Sequence, residues 1–199
     1  MAGSMTDCLP EAFGGYGLVR QWIPKAKPDV LATSRTGKLV KGFTEIVIGD
    51  TGWPALTASE AAKDIGQAYG HFLVDDNNII ECVPALTSRV GIVEQARFVE
   101  TRTSTGELDA HETTLAINLC FGGAVDGPEA YKRCVGLAAF ACKRFNLDPN
   151  KDVKSAGDLD PARKDPDRAL RAAGVDFKDL VRAIAGKLSD ASKTELAHA

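Results

Sequence analysis

The sequence predicts an α/β domain with a mixed sheet, on three observations. Ile46-Val47-Ile48 is a continuous β-branched run, suited to a strand buried on both faces of a sheet, and it stops at the turn formers Gly49-Asp50-Thr51-Gly52. Thr114 to Phe121 reads as a second buried strand, ended by Gly122-Gly123. Two helix-capping signals, Thr57 with Glu60 and Asp126 with Glu129, stand after these strands. In mixed α/β domains ligands collect where such strands end, so the residue at Gly49 decides the functional argument.

From the amino terminus, residues 1–40 carry Gly14-Gly15, Pro24, Pro28 and scattered Lys and Arg, and read as an extended arm with little regular structure. Met1-Ala-Gly-Ser ahead of Met5 has the form of a cloning remnant. The domain proper is expected over 41–189. Its first helix should open at Thr57 and run to Tyr69. His71–Asp75 and Asn78–Val83 read as two strands about a tight turn, closed by Pro84. Gly91–Val99 is a further strand, and polar Thr101–Glu112 a surface loop. After Asp126, the spacing of Tyr131, Cys134, Val135, Ala138, Cys142 and Phe145 by threes and fours makes one apolar helix face. Asp148–Pro166, with Pro149, Pro161 and Pro166, is expected as a long loop. Asp176-Phe177 opens a last helix with Phe177, Leu180, Val181, Ile184 and Leu188 on one side, followed by a frayed polar tail over 190–199.

Composition narrows the function classes. The 199 residues suit one domain, with 44% apolar and 26% charged residues, as in ordinary globular proteins. The 24 basic against 27 acidic side chains leave a net charge of −3 and no basic run, which argues against nucleic acid as a partner. No apolar run approaches the roughly 18 residues of a membrane span. Cys8, Cys82, Cys120, Cys134 and Cys142 lack metal-type spacing, and four of them sit in apolar segments. They read as reduced core thiols of a chain made in a cytoplasm.

Four segments then line up in order with one family. They are Ile46-Val-Ile-Gly-Asp-Thr-Gly52, the hairpin His71-Phe-Leu-Val-Asp-Asp-Asn-Asn-Ile-Ile-Glu-Cys-Val-Pro84, the strand Leu115-Ala-Ile-Asn-Leu-Cys120, and the loop Ala156-Gly-Asp-Leu-Asp-Pro-Ala-Arg-Lys-Asp-Pro166. Over Phe43 to Leu188 the chain resembles zinc-dependent N-acetylmuramoyl-L-alanine amidases of the type-2 class. That class includes phage endolysins and shares its fold with peptidoglycan recognition proteins. The resemblance implies a mixed central sheet flanked by helices, with a groove for glycan and peptide. It also implies hydrolysis of the bond joining N-acetylmuramic acid to L-alanine, by a zinc with three protein ligands and one position open for water.

By the same resemblance, the three zinc ligands fall on Gly49, Ala156 and Asp165, in a loop one residue short just before Asp165. The general base falls on Asn118, and a Trp-His pocket pair on Arg97-Phe98. The ligand groove is expected at His71, Arg97, Phe98, Asn118 and Lys164. Gly49 and Ala156 have nothing to give a metal, and losing even a supporting neighbour typically weakens metal binding about 10- to 100-fold. Asn118 cannot take a proton as Glu can. The three histidines, His71, His111 and His198, lie elsewhere in the sequence. Zinc and other cofactors are therefore not expected, and no metal ligand set is assigned.

Other chemistries compete with this one. Asp158, Asp160 and Asp165, with Asp50, offer carboxylates suited to a hard cation, against solvated loop acids that cap turns and pair with Arg163 or Lys164. Cys120 as a nucleophile competes with an inert buried thiol. His71 is either a groove residue or an ordinary hydrogen-bonded side chain. The expected function is a catalytically degenerate amidase-like protein that binds peptidoglycan or muropeptide, or acts as a phage-related scaffold, without hydrolysis. The alternatives are an active peptidoglycan amidase with a rebuilt metal site, and a protein-interaction or regulatory module using Arg97, Phe98 and 101–112. The expected place of action is a phage particle or a host cell wall.

Overall fold

The computed structural model describes residues 7–23, 35–40, 42–63, 70–86, 93–96, 113–159 and 163–197. In chain order its strands are β1 (Asp7–Cys8), β2 (Gly17–Arg20), β3 (Arg35–Val40), β4 (Glu45–Asp50), β5 (Phe72–Val74), β6 (Ile79–Glu81), β7 (Val93–Ala96), β8 (Thr114–Leu119) and β9 (Val153–Ser155). The helices are α1 (Ala58–Ala61), α2 (Gly127–Phe145), α3 (Pro149–Asp152), α4 (Ala156–Leu159), α5 (Asp167–Ala172) and α6 (Phe177–Ala197).

Seven strands form one sheet in the order β1-β2-β6-β5-β8-β4-β9, while β3 and β7 make a separate antiparallel ribbon. β4 lies between β8 and β9, parallel to both, as its double-sided burial requires. β5 and β6 are the predicted hairpin, antiparallel to each other, so the sheet is mixed. The expected fold class, a mixed central sheet flanked by helices, is what the chain adopts.

The two β-branched and apolar strands pack under helices. Ile46 and Ile48 of β4 and Leu115 and Ile117 of β8 are fully buried, and they share one core with Cys134, Leu137, Ala138 and Cys142 of α2 and Leu180 and Ile184 of α6. Each buried Ile or Leu among them contributes about 1.5–3 kcal/mol relative to exposure. Both capping signals operate. Thr57 N–H donates to Glu60 Oε2 at 2.9 Å while Glu60 N–H donates to Thr57 Oγ1 at 3.3 Å, and Glu129 N–H donates to the Asp126 side chain at 3.1 Å. α2 ends at Asn146 in the left-handed conformation.

Three expectations are corrected. Segment 7–23 carries regular structure: β2 adds to the sheet parallel to β6, and Leu9, Phe13 and Leu18 enter the core. Gly136 of α2 makes this possible, because a Cβ there would run into the Phe13 carbonyl. The expected loop Asp148–Pro166 holds α3, β9 and α4, with β9 too short to announce itself in sequence. The expected frayed tail continues α6 to Ala197, since buried Ala191 extends the Leu180-Ile184 stripe by two turns. The expected end of the first helix at Tyr69 and the loop Thr101–Glu112 lie outside the described residues. Among the described residues no helix is long and apolar enough to cross a membrane.

Candidate functional site

Strand alternation decides which residues meet at the end of β4. Ile46 and Ile48 point to the helix-covered face. Val47 points the other way and packs with Ala116 of β8, Ala156 and the partly buried Leu159. Gly49 and Asn118 take the next step along that second face, directly paired across the two strands. β9 runs parallel to β4 with Ser155 opposite Ile48, which delivers Ala156 to the same face. The loop then returns to the site, with Gly157 N–H donating to the Asp165 carbonyl at 3.3 Å.

The result is a tight polar cluster. A Cβ placed on Gly49 would stand 2.5 Å from Asn118 Oδ1 and 3.1 Å from Asp165 Oδ2. The position is thus glycine because Asn118 and Asp165 already occupy the space a side chain would need. The structure brings Gly49, Asn118, Ala156 and Asp165 to one face, at the ends of β4, β8 and β9.

Asp165 is 7% exposed and is gripped by Arg163 through a two-pronged ion pair, Nη2 to Oδ2 at 2.6 Å and Nε to Oδ1 at 3.0 Å. This planar fork is the strong form of a guanidinium–carboxylate contact. Lys164 beside it is exposed. The other candidate carboxylates do not join the cluster. Asp158 closes its own turn, accepting from Ser155 N–H at 2.8 Å and Ser155 Oγ at 2.8 Å. Asp160 lies outside the described residues. Asp50 follows the parity of Ile48 and turns away from Gly49, where its Oδ1 accepts from Gly52 N–H at 2.8 Å and Arg168 Nη2 at 2.9 Å. Burial raises its pKa first, and the charge of Asp165 adds to the rise, against the Gly52 and Arg168 contacts that lower it. Among the described residues no three His, Cys, Asp or Glu side chains gather to hold a metal.

His71 is corrected as a groove residue. Its ring is sealed inside the protein, edge-on to Phe43 with centroids 4.8 Å apart. Nδ1 accepts from Ala116 N–H at 3.0 Å, which leaves Nε2 to donate to the Glu94 carbonyl at 3.0 Å. The ring is therefore a neutral tie between β5, β7 and β8. Burial pushes its pKa down to about 4. Arg97 and Phe98 lie outside the described residues.

The four buried thiols are inert for a similar reason. Burial pushes Cys82, Cys134 and Cys142 up to about 12, and Cys120 is raised as well, so none supplies a thiolate near neutral pH. Sequence reasoning missed Arg168, 118 positions from Asp50, because a pair so distant leaves no local signal. It also missed Trp53, which is 59% exposed just past the end of β4.

No protein-family model matches the sequence, and no curated protein matches it either. Solved structures do. A mutant endolysin from Bacillus subtilis superposes with a TM-score of 0.66 at 18% identity, covering 85% of this chain and 99% of that one. The catalytic domain of XlyA gives 0.65 at 17% identity, over 84% and 98% of the two chains. The fold is that of type-2 amidase and endolysin catalytic domains. The N-acetylmuramoyl-L-alanine amidase LysC from Clostridium intestinale URNW has the same amidase fold, with a TM-score of 0.52 at 12% identity over 82% of this chain and 93% of its own. At such identities the shared property is the architecture. Within that amidase fold, the strand ends carry Gly49, Asn118 and Ala156.

Proposed function

We propose that this chain is a catalytically degenerate relative of the N-acetylmuramoyl-L-alanine amidases, which binds peptidoglycan or muropeptide without cutting it. One observation carries the reading. The positions that the resemblance assigns to metal and base converge on one face, yet of the three metal positions only Asp165 has a donor, and Arg163 already neutralises it. A three-ligand zinc does not fit this donor set, because Gly49 and Ala156 offer no lone pair and the remaining carboxylate carries an internal cation. Asn118, in the general-base position, has no basic site with which to activate water. Two independent parts of the hydrolytic chemistry are thus missing together.

Binding is what the arrangement retains. Asn118 stands at the end of β8 with 7% of its surface exposed, Lys164 is exposed beside Asp165, and Trp53 is exposed in the turn that follows β4. The amidase activity of LysC points to the ligand class to try, and a host cell wall, reached by the chain alone or on a phage particle, is where such a ligand is met.

Three measurements on the purified chain test this. Elemental analysis after incubation with zinc should find far less than one equivalent, and purified cell walls should not clear. Calorimetry with a muramyl peptide bearing L-alanine should give saturable binding, on the order of micromolar to millimolar. One zinc per chain with wall lysis would overturn the reading in favour of an active amidase. A flat titration at millimolar ligand would remove the binding half and leave a protein-interaction module.

A further inference from the structure

On the outer side of the helical layer, remote from Gly49, α2 and α6 leave a hollow of about 330 Å³. Its walls are Tyr131 and Val135 of α2, Ala183 of α6, and Tyr16 from the turn that precedes β2. α6 contributes only a methyl group to the wall at Ala183, which leaves the space between the two helices open. Its aromatic walls are held in place. Tyr131 Oη donates to the Asp179 carbonyl at 3.4 Å, and the Arg133 guanidinium lies 4.6 Å from the Tyr16 ring centre.

The mouth is positively charged. Lys132 and Lys187 line it, while their acidic neighbours are already engaged. Glu129 is shared between Lys132 at 3.3 Å and Arg133 at 3.5 Å, so two cations face one carboxylate. Asp179 is paired with Arg182 at 2.8 Å, and Asp190, one turn beyond Lys187, with Lys193 at 3.2 Å. Among the described residues no carboxylate pairs with Lys187. Apolar walls, a few convergent polar groups and a volume at the lower end of about 300–1,000 Å³ are the attributes of a small-molecule site.

We propose that this hollow binds an amphipathic anion, a small aromatic or short aliphatic group bearing one sulfonate, carboxylate or phosphate. The apolar part lies between Tyr16, Tyr131 and Ala183, and the anionic head meets the Lys187 and Lys132 amines. The site is separate from the strand ends and independent of the peptidoglycan reading. Titration of the folded chain with 8-anilinonaphthalene-1-sulfonate, followed by fluorescence and calorimetry, tests it, with the uncharged N-phenyl-1-naphthylamine as control. One site per chain is expected, with the uncharged probe at least about 10-fold weaker and K187E weakening the sulfonate at least about 10-fold, a change of about 1.4 kcal/mol. A183W, which fills the hollow, should abolish binding, and should it fail to fold, K187E decides alone. Absence of saturable one-to-one binding would overturn the proposal. So would binding that K187E leaves unchanged, or equal binding of the charged and uncharged probes.

Discussion

The two faces of the central sheet are built to different specifications, although the same strands supply both. On the helix-covered face, Ile46, Ile48, Leu115 and Ile117 meet α2 and α6 in a continuous apolar core. On the other face, the same strands offer Val47, Gly49, Ala116 and Asn118, which meet Ala156 and an arginine-bound carboxylate. Burial on the first face joins β4 and β8 to the helices. On the second, β4 and β8 contribute little apolar area, because their residues there are small or polar, while the neighbouring β5 and β6 bury Leu73 and Ile80 on that same face against Ala58 and Ala61 of α1. The strand ends of β4 and β8 on this side therefore carry less of the packing than the Ile46-Ile48 side.

The sharpest way to break this comparison is to truncate one side chain on each face. Ile48→Ala should cost about 2–5 kcal/mol in denaturant unfolding, from lost transfer energy and the cavity left behind. Asn118→Ala should cost about 1 kcal/mol, the scale of one hydrogen-bonding group. Comparable losses would show that the site face supports the fold equally.

A pH titration of stability comes next in size. His71 is neutral when folded, with its pKa pushed from 6.5 to about 4. Between these values the unfolded chain binds the extra proton, so unfolding is favoured as pH falls. The contribution of His71 is fully present above pH 6.5 and declines steadily towards pH 4. The total loss is on the order of 3 kcal/mol. His71→Phe should flatten that slope while lowering stability at pH 7, since the Ala116 N–H and Glu94 carbonyl lose their partner.

The crowding at the strand ends predicts a smaller, coupled effect. Gly49→Ala should destabilise by about 1–3 kcal/mol through overpacking against Asn118. Adding Asn118→Gly should recover part of that cost, giving a coupling of at least about 0.5 kcal/mol in a double-mutant cycle. Strict additivity would mean that the two residues do not compete for space. On a smaller scale again, Arg163→Met should cost about 1–2 kcal/mol by stranding Asp165, with the solvent exposure of Arg163 screening the pair. Lys164→Ala should change stability by less than about 0.5 kcal/mol, which makes it a clean variant for muropeptide calorimetry.

Much of the fold was legible because its signals are local. The two helix caps, the hairpin turn and the α2 stripe are each written within a few residues. The unread parts depend on distant partners. β9 is only Val153-Lys154-Ser155 and becomes a strand because the edge of β4 is available to it. β2 hides among glycines and is a strand because β6 pairs with it. The site was legible as a set of positions, through the resemblance, but its geometry was not. An unbroken run such as Ile46-Val47-Ile48 has no polar alternation, so nothing in it says which of Gly49 and Asp50 faces α2 and which faces the site. His71 was misplaced for the same reason, since only the fold shows that β7 and β8 close over its ring.

The seat of Phe13 against Gly136 has a consequence for any shortened version of this protein. The amino-terminal residues shield the outer rim of the hairpin, where β2 satisfies the main-chain groups of Ile79, Ile80 and Glu81. A polypeptide starting at Phe43 would leave that rim bare and apolar, a template on which one molecule could zip onto the next. The opening residues thus act as a guard against self-association, and trimming them would turn a well-behaved molecule into a sticky one.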